Sequence, residues 1–250
     1  MNHVIQNHDS DLIWLLDNDV VVETKTLSEL VRVVKSDERI GAAGSMMCKL
    51  DNQVRINELG GYMDWRKFNI LLNAHNLHIA SAPRNVQQVD FCAATSLLTK
   101  REVIDRIGFL EDLFIHFDDV EWCLRMNASG WKVVASPKSK IWHELKDVKT
   151  TRWVRYYDVR NLLRVHAKYR PRLLKKAVKH FKRHGRYFRL HDFKKTAMMI
   201  RASMRDFKRG KIGKRDFVQE TAVSLSDRPD DVKKNGNILF FLISALCAVR

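Results

Sequence analysis

The apolar run Leu12-Ile13-Trp14-Leu15-Leu16 ends abruptly on Asp17-Asn18-Asp19. An apolar run of this length that stops at charge reads as a buried strand delivering its last residues to a sheet edge. Side chains alternate along an extended chain, so Asp17 and Asp19 fall on one side and Asn18 on the other. Two hard oxygen ligands at that spacing suit Mg²⁺ or Mn²⁺, above all when phosphates complete the shell. The same pattern also fits a solvated strand end, or the polar approach to a helix, so the remainder of the chain must decide.

The first 150 residues alternate short apolar runs with helical periods. A strand is expected over 11–16, and a helix capped by Thr26 runs to about Lys35 with Leu27, Leu30, Val31 and Val34 on one face. Strands follow at Ile40–Met47 and Val89–Leu98, a short helix at Lys100–Ile107 closed by Gly108, and an aromatic loop at Phe109–Phe117. A helix from Asp118 or Asp119 to Gly130 and a strand at Trp131–Ala135 lead past Pro137 to Ile141-Trp142-His143. The segment 48–88 reads as a long specificity loop with short strands. Alternating elements of this kind predict an α/β fold. From Arg152 to about Arg209 the pattern is helical, with apolar stripes Leu173, Leu174, Ala177, Val178, Phe181 and Met198, Met199, Ile200, Met204, Phe207.

Charge divides the chain more sharply than any linker. Residues 1–150 hold 18 Lys+Arg and 21 Asp+Glu, a net of −3, whereas residues 151–250 hold 27 and 8, a net of +19. Three segments are expected: 1–150, a basic helical 151–220, and a loop or tail over 221–250. Cys48, Cys92, Cys123 and Cys247 form no C-x-x-C pair and read as reduced, buried residues of a cytosolic protein. The apolar run Ile238–Val249 is too short for a membrane span.

Two further groups stand with the D-N-D turn: Asp118-Asp119-Val120-Glu121 at a helix start, and His143 after a strand. Acids at a helix start also serve as caps, and a lone His is often structural. A carboxylate pair beside aromatics can instead carry a raised pKa and act as a general base. His with two Asp makes a metal set, since neutral imidazole suits Mn²⁺.

The order of these motifs resembles the family 2 glycosyltransferases, in the rhamnosyltransferase and galactofuranosyltransferase-like branch. The pieces are strand-D-N-D, V-D-F-C-A-A-T-S-L-L-T-K-R-E-V, I-G-F-L-E-D-L-F-I-H-F-D-D-V-E-W-C-L-R, G-W-K-V, I-W-H and R-Y-Y-D-V-R-N. The resemblance covers residues 9–165 and, more loosely, 200–214. It implies a GT-A-type nucleotide-sugar transferase fold and an inverting, metal-dependent transfer from a nucleoside-diphosphate sugar of UDP or dTDP type. Asp17, Asn18 and Asp19 would bind Mn²⁺ or Mg²⁺ against the diphosphate, with Asp17, Asp19 and His143 as metal ligands. Asp119 would be the base for the acceptor hydroxyl, with Asp118 standing where the family has Glu. Glu121 and Arg125 would line the acceptor side. Trp65, Trp122 and Trp142 could offer sugar platforms, although core packing is expected to claim at least two of them. Arg160 and Asn161 would close the site structurally.

The family begins with a β-α-β-α-β unit for the base and ribose, ahead of the D-x-D. Only 16 residues precede Asp17, too few for units of roughly 30 residues each. The expectation is therefore an N-terminally truncated mixed sheet with an open edge at residues 12–16. It leaves a non-catalytic remnant, or a subunit binding membrane or a partner transferase, as the alternative to an active enzyme. The basic helices, interleaved with Phe181, Tyr187, Phe188 and Phe193, suit an anionic membrane surface. That places the protein peripherally at the cytoplasmic face, with a glycan or lipid-linked acceptor. Nucleic acid is not expected, because no helix-turn-helix, zinc or RNA-binding signature is present. Self-association into a homo-oligomer is carried as a further expectation.

Overall fold

The computed structural model describes residues 9–144, 152–191 and 193–215. The expectations for 221–250, including Ile238–Val249 and Cys247, lie outside the described residues. The chain packs as two units, 1–212 and 213–250, and every element below belongs to the first.

The first unit is mixed α/β. In chain order it contains β1 (Leu12–Leu16), β2 (Val20–Val22), α1 (Thr26–Lys35), β3 (Ile40–Lys49), β4 (Ile56–Glu58), β5 (Gly61–Asp64), β6 (Asn69–Leu72), β7 (Gln87–Gln88), β8 (Ser96–Lys100), α2 (Arg101–Ile107), α3 (Asp118–Ala128), β9 (Lys132–His143), α4 (Arg152–Tyr169), α5 (Pro171–Leu190) and α6 (Lys194–Lys208). Seven strands form one sheet in the order β1-β8-β3-β9-β2, with β4 on β3 and β7 on β9, while β5 and β6 form a separate hairpin. Among the described residues only β3 and β9 run parallel; the other pairings are antiparallel.

The sheet differs from the sequence reading in instructive ways. β1 is half-buried at the sheet's edge, pairing only β8 among the described residues, and Leu16 is 40% exposed. The strand expected over 89–98 begins only at Ser96, because Val89 to Thr95 turn back to contact the β5 strand and the start of α3. The two strands expected around Pro137 are one strand, β9. Its register on β3 jumps from Ser45↔Ser136 to Met46↔Lys140, so residues 137–139 bulge out where proline has no N–H for the ladder. Ser139 at that bulge meets Ser45 at 2.8 Å and donates to the Thr26 carbonyl at 3.1 Å, tying α1 to the sheet.

Thr26 does not cap α1. It is the first helical residue, and its hydroxyl donates to the Lys140 carbonyl at 2.6 Å. The buried face of α1 is Thr26, Leu30, Val33 and Val34, whereas Leu27 is exposed. The long helical stretch is three helices, broken at Arg170-Pro171 and around residues 191–193. Proline at the first position of α5 explains the first break. On α5 the buried stripe is Ala177, Phe181, Gly185 and Phe188, and on α6 Met198 points outward at 50% exposure. Cys48, Cys92 and Cys123 are free and buried, as expected. Among the described residues no helix is long and apolar enough to cross a membrane.

Candidate active site

The D-N-D motif sits in the turn between β1 and β2, so turn geometry rather than strand alternation brings its two acids together. β2 pairs antiparallel with the end of β9, setting Val20 opposite His143. The pairing carries His143 back to the turn across 124 residues, and its Nε2 lies 3.2 Å from Asp19 Oδ1. Asp17, Asp19 and His143 each offer a ligand atom, and these atoms lie within 4.8 Å of one another. The Nδ1 of His143 is buried with no hydrogen-bond partner among the described residues. A buried imidazole nitrogen without a partner, beside two carboxylates of hard oxygen, fits a divalent cation such as Mn²⁺ or Mg²⁺.

Asp118 and Asp119 open α3. Phe117 precedes them with φ +69°, and Phe114 and His116 are also left-handed, at +70° and +59°. Three bulky residues in that region strain the loop, and it persists because its carbonyls are held from outside. The Asn161 amide donates to the carbonyls of Ile115 and His116 at 2.9 Å each and to that of Leu113 at 3.2 Å; Arg160 also donates to Leu113 at 2.9 Å. His116 itself pairs with Asp158 of α4 at 2.7 Å, which raises the imidazole's pKa.

Asp119 accepts from the backbone amides of Val120 at 2.7 Å and Ala94 at 3.2 Å. Burial, with the charge of Asp118 beside it, pushes its carboxyl up to about 6. The segment after Phe91 binds three acids in succession. The Ala93 amide donates to Glu58, the Ala94 amide to Asp119, and the Thr95 hydroxyl to Asp17 at 2.8 Å. Glu58, at the end of β4, is buried, and burial followed by the charge of Asp119 raises it to about 8. Sequence reading missed Glu58 because it lies in the irregular 48–88 segment, and a single acid there carries no spacing signal.

Residues 1–162 match the family described as Glycosyltransferase like family 2. The chain belongs to that family.

This family 2 protein is similar to the galactofuranosyltransferase GlfT2 of Mycolicibacterium smegmatis, at 25% identity over 67% of this chain and 28% of that enzyme. The Mycobacterium tuberculosis enzyme of the same name is 23% identical over 67% of this chain and 29% of its own. The chain thus spans under a third of the length of these curated relatives. Among solved structures it is similar to GalNAc-T7 with UDP, GalNAc and Mn²⁺, at TM-score 0.48 and 16% identity, covering 63% of this chain and 31% of that one. It is also similar to the mannosyltransferase PcManGT of Pyrobaculum calidifontis with GDP-Man and Mn²⁺, at TM-score 0.45 and 11% identity, covering 98% and 64%.

Several residues expected on the acceptor side are engaged in packing instead. Trp122 is fully buried and donates to the Gly108 carbonyl at 2.9 Å, so it is core. Glu121 is buried and accepts from Arg125 and Lys168, each at 2.6 Å, and from Tyr169 at 2.8 Å. Burial would raise its carboxyl, but these bonds outweigh that and hold it below the usual range. Arg125 also donates to the Ile107 carbonyl at 2.8 Å. Glu121 and Arg125 thus lock α3 onto α4 and the end of α2, which fixes where Asp118 and Asp119 stand. Trp65 is half-buried in the β5–β6 turn, under Arg170 at 4.8 Å and edge-on to His166 at 5.2 Å. Trp142, also half-buried, precedes His143 on β9 and donates to the Gln53 carbonyl at 3.3 Å.

Proposed function

We propose that this family 2 protein transfers a sugar, with inversion, from a nucleoside-diphosphate sugar to a hydroxyl of a glycan or lipid-linked acceptor. The observation that carries the reading is the Ala93–Thr95 segment, which ties the acid of the D-N-D turn and the raised acid of α3 to adjacent residues. Asp17, Asp19 and His143 hold Mn²⁺ or Mg²⁺, and Asn18 stands in the turn that faces the diphosphate. The ion supplies charge neutralisation for the leaving diphosphate. Asp119 takes the proton of the acceptor hydroxyl, and the freed oxygen bonds to the anomeric carbon from the face opposite the diphosphate. The anomeric carbon–oxygen bond to the diphosphate breaks, and its electron pair leaves with the nucleoside diphosphate. A carboxyl near 6 is ionised at neutral pH yet basic enough to accept that proton. Asp118 keeps a second negative charge beside the base. Donors of UDP or dTDP type, Trp65 and Trp142 as sugar platforms, and work at the cytoplasmic face of an anionic membrane complete the proposal.

A second reading, a subunit that pairs with another chain, is favoured by one observation. β1 leaves its outer edge free of strand partners among the described residues. Incubating the full chain with Mn²⁺, a panel of UDP- and dTDP-sugars and a lipid-linked glycan separates the two. Transfer seen by mass spectrometry, and lost in Asp119→Asn, supports the first. No transfer and no metal-dependent donor binding leaves the second.

A further inference from the structure

An open groove of about 630 Å³ runs between α5 and α6. Its chemistry is set by two matched rows. On α5, Lys182, Arg186 and Arg189 follow at i, i+4 and i+7; on α6, Arg201, Arg205 and Lys208 repeat the spacing. Both rows are solvent-exposed and line the same cleft. Between them the floor is apolar: Phe181 and Gly185 on one side, Ile200 and Met204 on the other. α5 carries no acid at all. Arg205 lies 3.8 Å from the Asp206 carboxylate, but among the described residues Lys182, Arg186, Arg189, Arg201 and Lys208 meet none, so most of this repulsion is not relieved by the fold.

Gly185 sharpens the point. It lies within a helix, where glycine costs about 1 kcal/mol relative to alanine. Packing does not demand it, since a Cβ there would meet Ile200 at 3.4 Å, an ordinary contact. Its effect is to leave the cleft floor bare. At the hairpin's turn end the rows pass into exposed apolar residues. Leu190, 70% exposed, follows Arg186 by four residues, and Met198, 50% exposed, precedes Arg201 by three. An anion-binding cleft with an apolar floor and an apolar lip is matched to an amphiphile.

We infer that the α5–α6 cleft is a binding site for the phosphate headgroup of an anionic membrane lipid, the cationic rows taking the phosphate and the floor taking the first part of the acyl chain. The inference rests on the membrane-facing part of the reading above and is independent of sugar transfer. It deepens that reading from a basic surface to one defined site.

The test is co-sedimentation of the full chain, in EDTA and without donor, with phosphatidylcholine vesicles lacking or containing phosphatidylglycerol. Binding is expected only with phosphatidylglycerol. The double variant Arg186→Gln/Arg201→Gln, at exposed positions that leave the fold intact, should bind roughly 30-fold more weakly. Gly185→Ala, which adds one methyl to the floor at ordinary contact distance and unchanged net charge, should also weaken binding. Inorganic pyrophosphate at matched phosphate concentration should not displace the protein. Equal binding by wild type and both variants would show diffuse surface charge and overturn the site. Displacement by pyrophosphate would assign the cleft to free phosphate, and tighter binding to random duplex DNA would assign it to nucleic acid; either overturns the lipid. Failure of the wild type to bind removes the membrane reading as well, while leaving transfer untouched.

Discussion

Thr95 donates its hydroxyl to Asp17 at 2.8 Å, and the Asp17 amide donates back to the Thr95 carbonyl at 3.2 Å. This reciprocal pair pins the D-N-D turn to the segment that also holds Asp119. An outer contact of this kind orients a metal-binding carboxylate, and its loss typically costs 10–100-fold in metal affinity. Thr95→Ala should therefore weaken Mn²⁺ binding by about tenfold, measured by calorimetry, with thermal stability little changed. Thr95→Ser should restore it.

On the proposed mechanism Asp119→Asn removes the proton acceptor while keeping the shape and one of the two backbone bonds, since Val120 and Ala94 donate to different carboxylate oxygens. A positioned base contributes about 10²–10⁴-fold, so kcat should fall in that range with little change in donor affinity. Because the carboxyl must be ionised and its pKa is about 6, wild-type kcat should rise with pH through that value. Rates measured from pH 5 to 8, roughly spanning that group's titration, check both statements.

Glu58 offers a stability prediction of definite sign. The folded chain keeps its proton up to about pH 8, whereas the ordinary carboxyl value is 4.5. Folding takes up a proton between those values, so the raised pKa makes stability fall as pH rises across that window. Glu58→Gln removes this dependence and retains an acceptor for the Ala93 amide. At pH 8 the variant should be more stable by on the order of 1–3 kcal/mol, and at pH 4 equal, in urea unfolding.

Asn161 holds three carbonyls of the strained loop that leads into α3. Asn161→Ala leaves the part-buried Ile115 and His116 carbonyls without this donor, while Leu113 keeps Arg160, which should cost about 1–2 kcal/mol. The same change should lower kcat, since Phe114, His116 and Phe117 lose the contacts that keep them left-handed. Rates and urea midpoints measured on one preparation separate the two effects.

The acids and the histidine were legible as motifs, since each follows an apolar run or opens a helix. Their convergence entered only through the family resemblance. It depends on β2 pairing with the far end of β9, and no local pattern records that pairing. Glu121 and Trp122 misled because a polar or aromatic residue beside a catalytic acid looks the same whether it faces a ligand or the core. The end of α2 was read well at Gly108, where glycine sets the backbone, whereas the break at Pro171 was passed over because apolar stripes run on both sides of it. Thr26 is not the cap because the helix already includes it and Lys25 holds the cap position; its hydroxyl turns instead to the Lys140 carbonyl of β9.

In the proposed function Asp17, Asp19 and His143 form one metal centre serving the diphosphate. Calorimetric titration of Mn²⁺ into the full chain, with and without a nucleoside diphosphate, tests it most directly. One ion per chain, bound more tightly with the nucleotide and weakened at least about tenfold in both Asp19→Ala and His143→Ala, is the predicted result. Unchanged Mn²⁺ binding in both variants, or no binding by the wild type, would contradict it.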